Sequence, residues 1–466
     1  MANTNSISER LDSLYEYERE PVAQNKLQKV SNFIGLYAGE HVAGTEFVIG
    51  PLFVAHGVTA PDLFLGLLVG NILAVLSWAL FTAPIAVKTR LTLYWQLKRV
   101  AGAKTTIVYS IVNAIAFCIL AGAMIAVSST AVGLSFNMKM PSLDDFYPNS
   151  VEWILVVFLV GGVVTTLAIL GFEKISHFAK ICAPWMFLVF IASAVAVLPK
   201  LGCNSIDDFW RVANEKIWTG IPFEGQSKFT FWHVTFFAWF CNMSMHIGMS
   251  DMSILRYAKN WKFGFTSAFG MFLGHYVAWV ASGILCAAAF GDIAPGPIAY
   301  MGAGITGAIT VIVTGWTTAN PTLYRACLAL QVVTPNWKRW KVTMVAGLIT
   351  TIAACFPGFI MKFLEFIAIQ GLVMMPIGVI LIADFWVLPK LGLKSYIVSY
   401  LKKDLSWAAI ITWIVSMGLS LWFNLHFEIE IFFLGLPGII ISLLLYVMLS
   451  YFLQKKYRSA NMVVEL

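Results

Sequence analysis

Gly315-Trp316-Thr317-Thr318-Ala319-Asn320-Pro321 places two hydroxyls, an indole, an amide and a proline inside an otherwise apolar segment. Such groups gain nothing in a hydrocarbon-buried helix unless they meet a partner, an ion or a solute. Adjacent Thr hydroxyls beside a Pro-interrupted turn can offer oxygen ligands to a small hard cation. Backbone carbonyls freed at a helix break elsewhere can complete such a site. The plainer alternative is that each Thr bonds the carbonyl four residues back on its own helix.

A second polar run, Tyr37-Ala38-Gly39-Glu40-His41-Val42-Ala43-Gly44-Thr45-Glu46, also lies in an apolar segment. A carboxylate there is costly unless paired, hydrated or protonated. Glu40 therefore reads as a hydrogen-bond acceptor for a polar solute or a proton-coupling group, or structurally as a partner of a hydroxyl or of His41. Glu46, nearer the outer end, reads either as functional or as simply reaching water. Phe117, Trp239 and Trp316 can form flat walls for an aromatic heterocycle, although each also reads as ordinary core. Asn113 and Asn242 are amides that either meet solute or bond across helices. Asp251, with Arg256 five residues on, and Asp384 read as salt bridges or end caps at the inner face.

These residues need a scaffold, and composition says which kind. Of 466 residues, 59% are hydrophobic and 12% charged, with mean hydropathy +0.78; a soluble chain carries about twice that charged fraction. Apolar runs long enough to span hydrocarbon recur twelve times: Leu36–Phe53, Leu63–Val87, Ile107–Val132, Ile154–Ile169, Ile181–Leu198, Phe231–Met249, Phe263–Phe290, Ile305–Leu330, Val342–Phe356, Phe363–Val387, Trp407–Phe423 and Ile429–Leu449. With loops assigned alternately from the inside, the inner set holds 25 of the 31 Lys and Arg residues, with Arg325 near the end of span eight counted into the four of the connection that follows. Positive residues stay cytoplasmic, so both termini are expected inside an inner or plasma membrane. The formal charge of +7 is dispersed over short loops, which suits anionic lipid and argues against nucleic acid. The seven cysteines and seven histidines show no metal-ligand spacing, and the cysteines read as small packing residues.

Spans one and six each open a set of five, and both are polar in mid-segment. Such interruptions at corresponding positions of two halves point to discontinuous helices around a midplane site. The expected architecture is an all-α membrane protein of about twelve helices, a five-plus-five inverted repeat with two C-terminal helices added. Its parts are a mobile cytoplasmic tail (1–29), a first repeat (30–200), an outer connection (201–229), a second repeat (230–390), two further helices (391–454) and a cytoplasmic tail (455–466).

The pattern resembles the nucleobase–cation symporter-1 family of cytosine, hydantoin, purine, allantoin and thiamine permeases, over the first ten spans. The residues that carry the resemblance are Trp316-Thr317-Thr318 with the following Asn-Pro, Asp251 to Arg256, Pro376-Ile377-Gly378 through Ala383-Asp384-Phe385, and Lys88-Thr89-Arg90-Leu91-Thr92-Leu93-Tyr94. The resemblance implies alternating access by a four-helix bundle rocking against a second bundle, with Na⁺ as coupling ion. It further implies that Ala38, His41 and Thr314 supply carbonyls to Na⁺ while Thr317 and Thr318 supply hydroxyls. The family's hydantoin branch has a stacking Trp and a Gln in span three, where this chain has Phe117 without the amide, and Val42 stands where span one would carry Gln. Glu40 then suits a donor-rich solute such as an amino-pyrimidine, or a cationic one.

The expected function is Na⁺-coupled symport of a nucleobase-like heterocycle by a monomer without organic cofactor. Substrate contacts fall to Glu40, Asn113, Phe117, Trp239, Asn242, Trp316 and Asn320. The alternatives are H⁺ coupling through Glu40, an amino-acid substrate on the same fold and, remotely, a membrane-embedded enzyme.

Overall fold

The computed structural model describes residues 11–136, 138–142, 145–289, 295–358 and 362–459. The first ten residues, the last seven and Phe290 at the end of the seventh span lie outside the described residues. Within them the chain is helical, and strand pairing is limited to one isolated bridge between Thr59 and Thr219. Nine described helices are long and apolar enough to cross a membrane. Two broken spans and one short helix complete the expected twelve.

The first span is split into α1 (Val30–His41) and α2 (Glu46–Ala55). Val42 leaves helical backbone at φ −90°, ψ 65°, so the carbonyls of the last α1 turn lose their i+4 donors. Glu46 opens α2, where a carboxylate meets the positive end of the helix dipole. The second span, α3 (Ala60–Thr89), contains a π turn over Trp78–Thr82. The short α4 (Leu93–Ala101) buries Leu93, Tyr94, Leu97 and Val100 and turns Lys98 and Arg99 outward, as an interfacial helix does. Then come α5 (Ala103–Ser135), α6 (Val151–Leu170) and α7 (Phe172–Val197).

The second set repeats the plan. Its first span breaks between α8 (Phe231–Phe240) and α9 (Met252–Leu255), passing through Met249 at φ 64°. Span seven, α10 (Trp261–Ala288), also carries a π turn, over Phe269–Tyr276. Next come α11 (Pro295–Val333), α12 (Arg339–Ala354) and α13 (Phe363–Ile382), followed by the two added helices α14 (Trp407–Phe427) and α15 (Gly435–Ser459). Several packed pairs follow an exchange of span n with span n+5. The first span packs on the seventh as the sixth packs on the second, while third on eighth and fourth on ninth are self-related pairs. An inverted repeat requires this pattern.

Close approaches lock particular pairs. A Cβ at Gly39 of α1 would sit 2.7 Å from Ala179 Cβ of α7. One at Gly50 of α2 would overlap Ser282 and the Trp279 carbonyl of α10.

Two expectations change here. Pro321 does not interrupt α11; the helix breaks upstream at Ala303 and Gly304, the latter at φ 58°, where a residue without Cβ is at ease. Pro321 only withholds its N–H from the Thr317 carbonyl. The N-terminal stretch is no free tail either, because residues 11–29 strap one end of the bundle. Arg256 donates to the carbonyls of Glu16 (2.8 Å) and Tyr17 (2.6 Å), and the Glu16 carboxylate accepts from Tyr257 (2.9 Å) and Tyr324 (2.8 Å). Glu18 pairs with Arg339 at 3.4 Å. Buried arginines need acceptors, and the strap provides them.

Candidate functional site

The stripe that matters on α11 runs Thr314, Thr318, Thr322, Arg325. With about 3.6 residues per turn, Arg325 lies within about 20° of Thr318 around the helix axis. Its side chain is 0% exposed and joins three spans. One Nη meets each oxygen of the Glu40 carboxylate, with Nη2 to Oε2 at 2.9 Å. Asp251 Oδ1 accepts from Nε at 3.0 Å and from Nη2 at 2.6 Å. Asp251 Oδ2 takes Tyr37 Oη at 3.0 Å and Trp78 Nε1 at 2.6 Å, so the second span joins too. Buried charges survive when every lone pair is met in this way.

This arrangement corrects several expectations. Glu40 is paired with Arg325, not with His41 or a hydroxyl. Asp251 also pairs with Arg325, while Arg256, five residues on, serves the strap. Asp384 is held by Tyr446 Oη at 3.1 Å and the Tyr396 N–H at 3.0 Å, without a salt bridge among the described residues. The charge tally gives Arg325 to the connection between spans eight and nine, yet it belongs to the protein interior.

At the break of the first span the eighth makes a direct link. Thr318 Oγ1 lies 2.9 Å from the Glu40 carbonyl and 2.9 Å from the Thr314 carbonyl. Thr317 Oγ1 bonds the Thr314 carbonyl at 3.0 Å and faces Met186 sulfur at 3.8 Å on α7. The Ala38 carbonyl accepts the Val42 N–H at 3.1 Å. His41 holds the Tyr37 carbonyl through Nδ1 at 2.9 Å. Three neutral oxygens thus converge at the break: Glu40 O, Thr314 O and Thr318 Oγ1. Ala38 and His41 sit on the same last turn of α1.

Beside this point lies a cavity of about 50 Å³, lined by Glu40, His41, Asn242 and Thr318 among the expected residues. That volume holds a few waters. Glu46 lines it as well and does not reach water: it is 3% exposed, accepts a hydrogen bond from Trp279 Nε1, and lies 3.8 Å from His275 Nε2. Four buried polar atoms of cavity residues have no partner among the described residues: His41 Nε2, Asn242 Nδ2, His275 Nδ1 and Gln370 Nε2. They come from spans one, six, seven and ten.

The aromatic walls are elsewhere. Trp239 donates to Ser77 Oγ at 3.1 Å and stacks on His246. Phe117 is fully buried away from the cavity, which α5 instead lines with Leu120 and Met124. Asn113 bonds Tyr94 Oη at 3.0 Å. Trp316 and Asn320 each lie two residues from Thr318, about 200° around the helix, on the face opposite the cavity stripe. His275, Gln370 and Arg325 are the residues that sequence reasoning did not single out, and Glu46, which it left between function and water, lines the cavity.

A sequence signal exists for Glu46. His41-Val42-Ala43-Gly44-Thr45-Glu46 and His246-Ile247-Gly248-Met249-Ser250-Asp251 share one pattern: histidine, aliphatic, small, any residue, hydroxyl, acid. Each acid begins the second half of its broken span, and each accepts a hydrogen bond from a tryptophan indole of the other repeat. Trp279 of α10 serves Glu46 and Trp78 of α3 serves Asp251.

No protein-family model matches the chain, and no curated protein matches it by sequence. Solved structures do. Mhp1, a nucleobase-cation-symport-1 family transporter in a closed conformation with bromovinylhydantoin bound, superposes with TM-score 0.73 at 14% identity, over 95% of this chain and 97% of that one. The chain has the fold of Mhp1. A Na⁺-coupled sialic acid symporter in a substrate-bound outward-open state gives 0.68 at 12% identity, over 96% and 93%. A manganese transporter of Eremococcus coleocola in complex with an aromatic bis-isothiourea substituted compound gives 0.56 at 12%, over 94% and 98%. At these identities the likeness is one of fold, and it agrees with the inverted repeat read from the packing.

Proposed function

We propose that this chain is a secondary active transporter that carries a small nucleobase-like heterocycle together with Na⁺ by alternating access. The observation that carries the reading is the link at the break of the first span. Thr318 brings its hydroxyl and the Thr314 carbonyl against the Glu40 carbonyl, while Arg325 of the same helix fixes the Glu40 carboxylate. Neutral oxygens suit a hard monovalent cation, and one further negative than positive charge in the Glu40–Arg325–Asp251 cluster favours its entry. Ala38, His41 and Thr317 supply the remaining oxygens once the break adjusts around the ion. The Na⁺-coupled sialic acid symporter of the same fold supports a sodium ion here.

Asn242 and Gln370 supply amide groups for the solute's polar edge. Coupling by H⁺ through Glu40 receives less support, since both carboxylate oxygens are engaged by Arg325. The basic inner loops support a multi-pass chain in an inner or plasma membrane with both termini inside. Uptake into proteoliposomes at fixed pH tests the reading: it should collapse when choline replaces Na⁺. Uptake indifferent to that exchange removes sodium from the mechanism.

A further inference from the structure

The two halves carry the same acid–tryptophan pair, but only one of the two acids has a cation. Asp251 accepts from Trp78 and is neutralised by Arg325. Glu46 accepts from Trp279, yet no Lys or Arg among the described residues reaches it. Its one basic neighbour is the His275 ring, with Nε2 3.8 Å away and Nδ1 unpartnered. Glu46 also lines the cavity, where Asp251 does not. A carboxylate inside a membrane protein calls for a partner charge. With its acids ionised, the centre holds three carboxylates (Glu40, Asp251, Glu46) against one guanidinium, a deficit of two positive charges. Sodium supplies one.

We propose that the transported solute supplies the other: it bears an amidine-like or protonated amino-heterocyclic edge that docks on Glu46. Arg325 is the internal template for that edge, since planar N–H pairs match both oxygens of a carboxylate. Asn242 Nδ2 and Gln370 Nε2, unpartnered on the same cavity, then donate to an acceptor elsewhere on the solute. The inference rests on the transport reading above and names its substrate class.

Matched solutes that exchange amino for oxo test it: cytosine against uracil, and guanidinium against urea. Binding to the full-length protein in Na⁺ buffer is read by thermal shift, since ligands of the folded state stabilise it. At least one amino member should bind about tenfold or more tightly than its oxo partner, the difference expected for a charge-assisted hydrogen bond. Glu46→Gln should bring the two within about twofold, and Glu46→Asp should keep their order. The Na⁺-dependent shift of Glu46→Gln, measured without solute, shows that the variant is folded. Equal binding of both members in every pair, absence of binding by any of the four, or an unchanged preference in Glu46→Gln overturns the proposal. If Na⁺-dependent uptake of another solute persists in those cases, the transport reading stands while the substrate class falls.

Discussion

Replacing Arg325 by methionine keeps most of the side chain's bulk and removes its charge. Glu40 and Asp251, 1% and 0% exposed, then remain in the interior without a cation. Asp251 retains Tyr37 and Trp78 as donors, whereas the Glu40 carboxylate loses both of its bonds. Breaking a buried pair from one side costs about 3–5 kcal/mol, largely from the charge left behind. The triple variant Glu40→Gln, Asp251→Asn, Arg325→Met leaves no buried charge at the cluster and should recover to within about 1 kcal/mol of the parent. Equilibrium unfolding in detergent, followed by tryptophan fluorescence, measures both. A cost below about 1 kcal/mol for Arg325→Met, the range of exposed ion pairs, would falsify the account of the cluster. So would a triple variant no more stable than the single one.

Other positions give separate tests. Thr318→Ala should raise the half-saturating Na⁺ concentration for uptake about tenfold or more, by loss of an oxygen ligand, and Thr318→Ser should restore it; an unchanged sodium dependence moves the ion elsewhere. Asn320→Leu removes two buried amide atoms that have no partner among the described residues. It should leave uptake within about twofold and stability equal or higher, and a transport defect would put the solute on the opposite face of α11. Arg256→Met should free the strap, seen as faster tryptic cleavage after Arg19 and Lys26; unaltered protection shows that Glu18 and Arg19 suffice to hold it.

Much of the architecture is legible in the sequence because lipid imposes it. Twelve apolar runs, the mid-segment polarity of spans one and six, and the polar threonines of span eight follow from hydropathy and the cost of unsatisfied groups. The site is less legible, for reasons visible at particular residues. Arg325 sits near the end of an apolar run, so a loop tally absorbs it, although its register with Thr314 and Thr318 marks it as interior. Trp316 and Asn320 attract notice by type, but helical periodicity turns them away from the threonines they neighbour. Glu46 looks terminal by position and is enclosed only because Trp279, from a span 233 residues later, folds over it. The paired His-to-acid pattern of the two halves is readable by eye once the broken spans are aligned, and it points to both acids.

The glycine contacts have a mechanical consequence. Gly39 brings α1 against α7 and Gly50 brings α2 against α10, while α1 also packs on the π turn of α10 and Phe47 of α2 stacks on Phe190 of α7, so both halves of the first span share the same two neighbours. Residues 42–45 between them belong to neither helix, with the small Ala43 and Gly44 at their centre and the buried Val42 and Thr45 at their ends. The segment forms a short joint between two packed helices. Glu40 and Glu46 stand on either side of that joint, one held by the protein's own arginine and the other facing the cavity. Any change in the angle between α1 and α2 changes the spacing of those acids across the cavity they both line.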